Sequence, residues 1–169
     1  MGIGLPGAVS GGEVLYTTNI PLERTDLAAL FRRRLDLPVL LGNDADCAAV
    51  GEYFQGAGRG LRDFVVLTLG TGLGGGFILN GMPYGGGGMA GEIGHMVIRQ
   101  GGAPCSCGRR GCWEAYCSAT RLTEVSGVTL REFFLGVECG NSAYRTLLDD
   151  YLRHLAIGIH IIRLALDCD

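Results

Sequence analysis

One short stretch of the chain places a histidine and three cysteines close together. His95, Cys105, Cys107 and Cys112 form the array H-x9-C-x-C-x4-C in a loop rich in glycine. One imidazole and three potential thiolates are the ligand count of a closed tetrahedral zinc site. The C-x-C pair presents two sulfurs from a tight turn, and the glycines after it let the chain curl back to Cys112. The array therefore predicts a structural zinc site that orders a loop with little apolar material of its own.

The spacing of this array differs from that of the common zinc modules. It is neither the paired C-x2-C of a zinc ribbon nor the arrangement of a C2H2 finger. The alternative is that the cysteines are unconnected core residues, but four ligands at this density favour a metal site. The remaining cysteines lack such spacing, and Cys117 alone lies near enough to compete as a ligand. All four are predicted to be core thiols: Cys47, Cys117, Cys139 and Cys168.

Composition and charge exclude several classes of protein. Apolar residues make up 47% of the 169 residues and charged residues 18%, so a packed core is expected rather than disorder. The net charge of −3 offers no basic surface for nucleic acid, and no apolar run has the length of a membrane span. No secretory signal pattern is present, and an odd number of cysteines favours reduced thiols. We expect a cytoplasmic protein without membrane or nucleic-acid partners through this segment.

Strand-like and helix-like segments follow one another along the chain. Strand, Pro-Gly turn and strand are predicted over residues 2–20, a short buried strand over 38–41, and a long β-patterned run over 64–79 that ends in an Asn80-Gly81 hairpin turn. Helices are predicted where apolar residues recur every three or four positions or where capping residues precede them. Their ranges are 25–35 behind a Thr25 or Asp26 cap, 45–54, 113–123, 129–136 behind a Thr129 cap, and 147–166.

The dipeptide Asn43-Asp44 lies at a predicted strand-to-helix turn. Asn and Asp are favoured capping residues, so a structural cap is one interpretation. The other is catalytic, because a carboxylate held at such a turn can take the proton of an alcohol that receives a phosphoryl group. The residues alone leave both interpretations open. Asp46 is expected in the first turn of the helix, where the macrodipole favours a negative charge.

A glycine-rich segment between two predicted strands contains Gly70, Thr71 and Gly72. Successive backbone N–H groups in such a bend can face an anion, and the Thr71 hydroxyl adds a donor. A plain hairpin bend is the alternative. The segment has neither the G-K-[ST] sequence of a Walker loop nor the following helix of a Rossmann fingerprint.

Two carboxylates bracket the metal array. Glu92 precedes His95 by three residues, and Glu114 follows the last cysteine by two. Both are placed to accept hydrogen bonds from a polyhydroxylated ligand, although exposed carboxylates are more often solvated surface charges. Trp113 and Tyr116 offer rings for stacking on a sugar, but core packing is the favoured interpretation.

The chain resembles the ROK family, which contains bacterial sugar kinases and sugar-responsive repressors. The resemblance rests on three strings: G-E-I-G-H followed by C-x-C-G-x-x-G-C-x-E-x-Y, L-P-V-x-x-x-N-D-A-x-x-A-A-x-G-E, and L-G-T-G-x-G-G-G. It implies a hexose or N-acetylhexosamine substrate, ATP with Mg²⁺, a structural Zn²⁺ and a homodimer. It also assigns roles: Asp44 as general base for the sugar 6-hydroxyl; Asn43, Glu92, His95 and Glu114 as sugar ligands; Gly70, Thr71 and Gly72 as phosphate contacts; and His95, Cys105, Cys107 and Cys112 as zinc ligands.

The fold implied by the resemblance is α/β and ribonuclease-H-like, as in actin and hexokinase, in partial form and with a zinc-binding loop. Residues 1–58 would be the C-terminal part of the small sugar/ATP-cleft domain, and 59–169 the larger domain with the zinc loop and the long terminal helix. Family members also carry an N-terminal phosphate loop and a C-terminal adenosine-binding segment, which we do not find here. The 169 residues alone are therefore expected to be inactive as a kinase.

Three functions remain open at this stage. The leading one is ATP-dependent phosphorylation of a hexose at the 6-hydroxyl, favoured by Asp44 and the glycine-rich segment. The second is the sugar-sensing domain of a ROK-type transcriptional repressor, since zinc and sugar motifs do not separate the two. The third is a naturally shortened, inactive relative that acts through protein interactions.

Overall fold

The computed structural model describes residues 1–17 and 20–168, which belong to two compact units. The first unit contains residues 1–66 and 75–91, and the second contains residues 67–74 and those from 92 onward. Neither unit ends at residue 58. The predicted division at that residue concerns the domains of the longer family proteins and stays a prediction. Residues 18 and 19 of the predicted second strand lie outside the described residues.

Four short strands open the first unit. β1 (Gly2–Leu5) is followed by the antiparallel hairpin of β2 (Ala8–Ser10) and β3 (Glu13–Tyr16), where the sequence predicted one strand after the Pro-Gly turn. β4 (Leu40–Asn43) returns to pair in parallel with β1 along all four residues. The carboxyl end of β4 is thereby fixed beside the end of β1.

The strand predicted over 38–41 differs from β4 in position and in burial. Val39 is 1% exposed, as predicted, but Leu40 is 76% exposed. Successive side chains of an extended chain point to opposite sides, and only one side of this pair is covered. The run of apolar letters wrongly suggested that both sides were buried.

Two helices of the first unit begin at capping residues that the sequence indicates. α1 (Leu27–Leu35) is capped by the side chain of Asp26 rather than Thr25. α2 (Asp44–Gln55) is capped by Asn43 and begins one residue before the predicted start. Side-chain oxygens at these positions satisfy N–H groups that the first helical turn leaves unpaired.

The start of α2 is held by close packing. Ala49 belongs with Phe64 and Ile78 to a buried cluster. A Cβ at Gly76 would lie 2.4 Å from the Ala45 carbonyl oxygen, so only glycine lets the helix approach this strand. The contact fixes the turn of α2 that immediately follows its capping residue.

The long β-patterned run is split by a turn at residues 70–72. β5 (Phe64–Leu69), β6 (Leu73–Leu79) and β7 (Met82–Pro83) form one sheet in that order. Asn80 and Gly81 join β6 to β7 with φ values of 54° and 72°. Two successive positive φ values are those of the type I′ turn that the sequence predicts.

Helices dominate the described part of the second unit. The helix predicted over 113–123 is in fact two, because Ser118 is extended and its side chain accepts a hydrogen bond from the Arg121 N–H. A serine in this position competes for backbone groups and restarts the helix. The helices are α3 (Glu114–Cys117), α4 (Ala119–Ser126), α5 (Leu130–Glu138) and α6 (Ser142–Leu166).

The remaining helix predictions are correct within two residues at each end for α5, whereas α6 begins five residues before the predicted start, behind an Asn141 cap. Thr129 and Glu132 form a reciprocal capping box at the start of α5. Trp113 is fully buried, and a Cβ at Gly158 would lie 2.1 Å from its ring, so α6 crosses the indole at a glycine. Trp113 and Tyr116 are core residues, as the favoured interpretation had it.

Among the described residues, no helix combines the length and apolar character needed to span a bilayer.

Candidate metal centre and ligand-binding residues

A network of backbone contacts shapes the segment from His95 to Cys112, which we call the metal loop. Isolated antiparallel bridges join Val97 to Cys112 and Pro104 to Arg110, so the loop is closed at two levels. Gly111 has φ +84°, and a Cβ there would lie 1.7 Å from the Arg99 carbonyl oxygen. Gly111, one of the glycines predicted to let the chain curl back, is therefore required for this close approach.

The four predicted zinc ligands converge. The donor atoms of His95, Cys105, Cys107 and Cys112 all lie within 4.8 Å of one another. The Cys107 and Cys112 sulfurs are 3.6 Å apart, and the Cys105 sulfur is 3.5 Å from His95 Nδ1. Sulfurs bound about 2.3 Å from a tetrahedral zinc lie about 3.8 Å apart. The donor set and its spacing therefore fit the predicted zinc, which would bind through these four residues.

The pKa values of two thiols in the cluster, Cys107 and Cys112, are shifted in opposite directions. Slight desolvation of Cys107 is outweighed by hydrogen bonds from Arg109 and the neighbouring thiols, which lower the pKa of Cys107 to about 6. Burial, together with hydrogen bonds to Cys107 and Cys105, raises the pKa of Cys112 to about 12. Because a metal takes thiolates, binding zinc here must displace the proton on Cys112.

Glu92 lies on the far side of the His95 ring. Its Oε2 is 3.7 Å from His95 Nε2, while Nδ1 of the same ring faces Cys105. A carboxylate on the second ring nitrogen fixes the tautomer and orientation of a metal-bound histidine. The structure thus brings this predicted sugar ligand to the metal cluster. Both side chains are mostly covered, with 11% of His95 and 21% of Glu92 exposed.

Glu114 connects the metal loop to the turn at residues 70–72, which we call the glycine-rich turn. Its Oε2 accepts the Leu73 N–H at 3.1 Å, and its Oε1 accepts the Ser106 hydroxyl at 3.4 Å. A Cβ at Gly72 would lie 2.3 Å from Oε2, so a larger residue there would displace the Glu114 carboxylate from this position. One carboxylate therefore contacts both segments that the sequence singled out.

The turn at residues 70–72 is also held from α4. The Ala119 N–H donates to the Gly70 carbonyl oxygen at 2.8 Å, and the Thr120 hydroxyl donates to the Thr71 carbonyl oxygen at 2.7 Å. Within the turn, the Gly70 N–H donates to the Gly72 carbonyl oxygen. Sequence reasoning missed Thr120, because its partner lies 49 residues away and nothing local signals the contact.

Asn43 and Asp44 lie in the first unit, at the start of α2. Asn43 Oδ1 accepts the Ala45 and Asp46 N–H groups, and its Nδ2 donates to the Gly7 carbonyl oxygen at 3.0 Å. The capping interpretation is therefore confirmed for Asn43. Asp44 is exposed and is the first residue of the helix, so its carboxylate is accessible to a ligand.

Asp46 lies in the first turn of the same helix, as predicted. Burial, and then the negative charge of Asp44, raise the pKa of its carboxyl group. The two carboxylates of this turn thus differ in environment, and the exposed Asp44 is the better candidate for proton transfer.

The prediction of four core thiols is correct for one of them. Cys117 is buried, burial raises its pKa to about 12, and its sulfur faces the Tyr151 carbonyl oxygen at 3.5 Å. It is not one of the clustered donors. Cys47 and Cys139 are exposed and Cys168 is half-buried, so the core assignment is wrong for them. Small residues are tolerated at helix starts and ends, where burial is incomplete.

Comparison with known proteins assigns the family. A sequence model of the ROK family matches residues 1–169. The chain belongs to the ROK family. A glucokinase of Halalkalibacterium halodurans is 44% identical over 135 residues, which cover 76% of this ROK chain and 41% of that relative. A xylose repressor of Bacillus subtilis is 36% identical over 124 residues, which cover 72% of this chain and 32% of the repressor.

The fold comparison agrees. The crystal structure of a ROK glucokinase from Streptomyces griseus, in complex with glucose and AMPPNP, matches with a TM-score of 0.89 at 31% identity. The match covers 99% of this chain and 62% of that one. The predicted family and the α/β, actin/hexokinase-like class are thus confirmed. This ROK chain spans less than half the length of the two sequence relatives described above.

Proposed function

We propose that this chain is the sugar-binding part of a ROK-type kinase that transfers a phosphoryl group from ATP to the 6-hydroxyl of a hexose. The observation that carries the proposal is the position of Glu114. Its carboxylate contacts both the metal loop and the glycine-rich turn. A sugar ligand and a phosphate contact would therefore be neighbours, as transfer between them requires.

Each residue in the proposal has a physical role. Asp44, exposed at the start of α2, would take the proton from the 6-hydroxyl as the phosphoryl group arrives. The remaining N–H of the Asn43 amide and the side chains of Glu92, His95 and Glu114 would hold the sugar hydroxyls. Gly70, Thr71 and Gly72 would contact the phosphates of ATP, whose charge Mg²⁺ would partly neutralise.

The zinc in this proposal is structural. Bound to His95, Cys105, Cys107 and Cys112, it would cross-link the loop and supply stability rather than reaction chemistry. Residues around the metal would position the sugar ligands. Glu92 orients the His95 ring, and Ser106 donates to Glu114 from within the loop. An ordered metal loop would therefore hold in place the two carboxylates that would bind sugar, Glu92 and Glu114.

The proposal is tested by a coupled ATP assay on the whole protein in which these residues occur, with a panel of hexoses and N-acetylhexosamines. We expect ADP release that depends on one of these sugars and a sugar 6-phosphate as product. ATP turnover that no member of the panel stimulates would overturn the proposal. The sugar with the highest kcat/KM identifies the substrate.

A second candidate is the sugar-sensing domain of a repressor. The observation in its favour is the 36% identity to the xylose repressor of Bacillus subtilis. In this case the same assay gives no ATP turnover, and the protein binds a sugar that changes its affinity for operator DNA. A sugar 6-phosphate product excludes this alternative.

We further propose a cytoplasmic location and a homodimer for this protein. Cytoplasmic reducing conditions keep the three cysteines of the metal cluster as thiols available to zinc. The homodimer follows from family resemblance, and sedimentation of the whole protein across a range of concentrations tests it.

The contact from α4 to the glycine-rich turn leads to a prediction on ATP binding. Thr120→Val removes the hydroxyl that donates to the Thr71 carbonyl oxygen and keeps the side-chain shape. Loss of one such hydrogen bond should raise the KM for ATP about two- to tenfold, because the turn that contacts phosphate is less well held. The KM for sugar should stay unchanged. Steady-state kinetics with each substrate varied in turn measure both values.

The matched control is Thr123→Val, on the same helix. The Thr123 hydroxyl donates to the Thr120 carbonyl oxygen and does not contact the turn. A control that raises the KM for ATP as much as Thr120→Val does would attribute the effect to α4 rather than to the turn.

A further inference from the structure

A cleft of about 410 Å³ in the second unit is lined by three arginines. Arg99 and Arg110 both lie in the metal loop and Arg121 belongs to α4, so two parts of the second unit meet here. No carboxylate lines this cleft in the described chain. Arg121 has one long, exposed contact with Glu124 at 3.9 Å, and such pairs stabilise little. We call this feature the arginine cleft.

The positive charge of the arginine cleft contrasts with the chain as a whole. The net charge is −3, yet residues 92–121 contain four arginines and two glutamates. Like charges that face one concavity repel each other, and an anion between them removes that repulsion. The guanidinium group offers a planar set of donors that matches phosphate, and it keeps its charge at all ordinary pH values.

A nearly buried tyrosine supplies a further donor. Tyr116 is 9% exposed, lines the cleft and accepts the Ala103 N–H on its hydroxyl oxygen at 2.7 Å. Within the described residues, the Tyr116 hydroxyl proton has no acceptor, so it is available to a ligand. A Cβ at Gly102 would lie 2.0 Å from this oxygen, so the backbone of the cleft at Gly102 packs directly against the tyrosine hydroxyl.

Packing behind the ring makes the position of Tyr116 rigid. The ring stacks on His154 of α6 with centroids 4.3 Å apart and an angle of 12° between planes. A donor fixed in this way loses little entropy when it binds a ligand. The arginine cleft therefore combines one fixed hydroxyl donor with three flexible, charged side chains.

The arginine cleft is separate from the residues proposed to bind sugar. Glu114 and Tyr116 both belong to α3 and are two residues apart. At 3.6 residues per turn they point in directions about 200° apart on the helix. Glu114 faces the glycine-rich turn, and Tyr116 faces the loop that contains Ala103.

We propose that the arginine cleft binds the phosphate group of a small phosphorylated metabolite. Three guanidinium groups and one tyrosine hydroxyl match the several oxygens of a phosphate monoester. The volume is larger than inorganic phosphate needs and lies in the range of small-molecule sites. Because the cleft wall includes Arg110 from the metal loop, the bound phosphate would also order that loop.

Titration of the zinc-loaded protein with inorganic phosphate and with glycerol 3-phosphate tests the proposal. Glycerol 3-phosphate has no hexose ring, so the sugar-binding residues do not select it. We expect saturable binding of both probes, with the ester tighter. Amide resonances of Gly101, Gly102 and Ala103 should shift, whereas those of residues 70–72 should not. Tighter binding of inorganic phosphate would still support the site and would identify free phosphate as its ligand.

The double variant Arg110→Gln/Arg121→Gln should weaken phosphate binding at least about tenfold, since each arginine contributes charge-assisted hydrogen bonds. The matched control is Arg131→Gln, which removes one exposed charge on α5. A zinc content unchanged from wild type shows that each variant is folded at the metal loop.

Four outcomes would overturn the proposal. In the first, the double variant binds phosphate as well as wild type. In the second, the shifts are confined to residues 70–72. In the third, the Arg131 control loses as much affinity as the double variant, so that the attraction is non-specific. In the fourth, a hexaglutamate peptide binds the cleft more tightly than either phosphate probe, which would assign it to an acidic protein partner.

Discussion

Replacing Cys112 by serine should abolish stoichiometric zinc binding and lower the thermal midpoint of unfolding by about 10 °C. Cys112 is fully buried and its sulfur lies 3.6 Å from that of Cys107. Loss of one ligand removes the folding free energy that a structural metal supplies, which is several kcal/mol. For a chain of this length, each kcal/mol shifts the midpoint by about 2–4 °C. Elemental analysis and calorimetry measure the two effects.

The chain contains its own optical probe and its own control for this experiment. Trp113, the sole tryptophan, is fully buried beside Cys112, so its emission should shift to the red when the loop opens. Cys139→Ser makes the same chemical change at an exposed cysteine outside the cluster and should leave zinc, emission and midpoint unchanged. A Cys112→Ser protein that retains one zinc per chain, or a wild type that binds none, would contradict the prediction.

The metal cluster and the capping residues were predictable because their information is local. All four cluster ligands lie within eighteen residues of one another, and the chain between them has little freedom once its glycines form their turns. Asp26, Asn43 and Thr129 cap their helices through contacts two to three residues away. In such cases side-chain chemistry decides the structure before tertiary packing does.

The features that sequence reasoning missed depend on distant partners. The exposure of Leu40 depends on which side of a strand pair is covered. Thr120 reaches a carbonyl oxygen 49 residues away. Arg99 and Arg121 line one cleft although 21 positions of the chain separate them. No periodicity or spacing encodes contacts of this kind, since they follow from the packing of complete elements.

Glu114 shows where local and distant information meet. Its spacing from the last cysteine marked it as a ligand residue, but not as the acceptor of the Leu73 N–H. Through that contact, one carboxylate links the metal loop to the glycine-rich turn. If the proposed function is correct, zinc loss impairs ATP binding as well as sugar binding, through the carboxylate rather than through the metal itself.

Replacing Asp44 by asparagine should lower kcat for phosphoryl transfer by about a hundred- to ten-thousandfold, the usual contribution of a general base. The fold should be retained, because Asn43 accepts the Ala45 and Asp46 N–H groups and keeps α2 capped without the Asp44 carboxylate. Loss of one charge from the first helical turn costs about 0.3–1 kcal/mol. The coupled assay on the whole protein gives kcat, and calorimetric titration gives sugar affinity, which should change little.

Asp46→Asn is the matched control for this experiment, since it removes a carboxylate from the same turn of the same helix. Asp46 is partly buried, whereas Asp44 is exposed, so Asp46 is the less accessible of the two carboxylates to a bound alcohol. Its kcat should fall less than about fivefold, because only long-range electrostatics change. Equal losses in both variants would mean that the negative charge of the helix start, and not proton transfer at Asp44, supports the reaction.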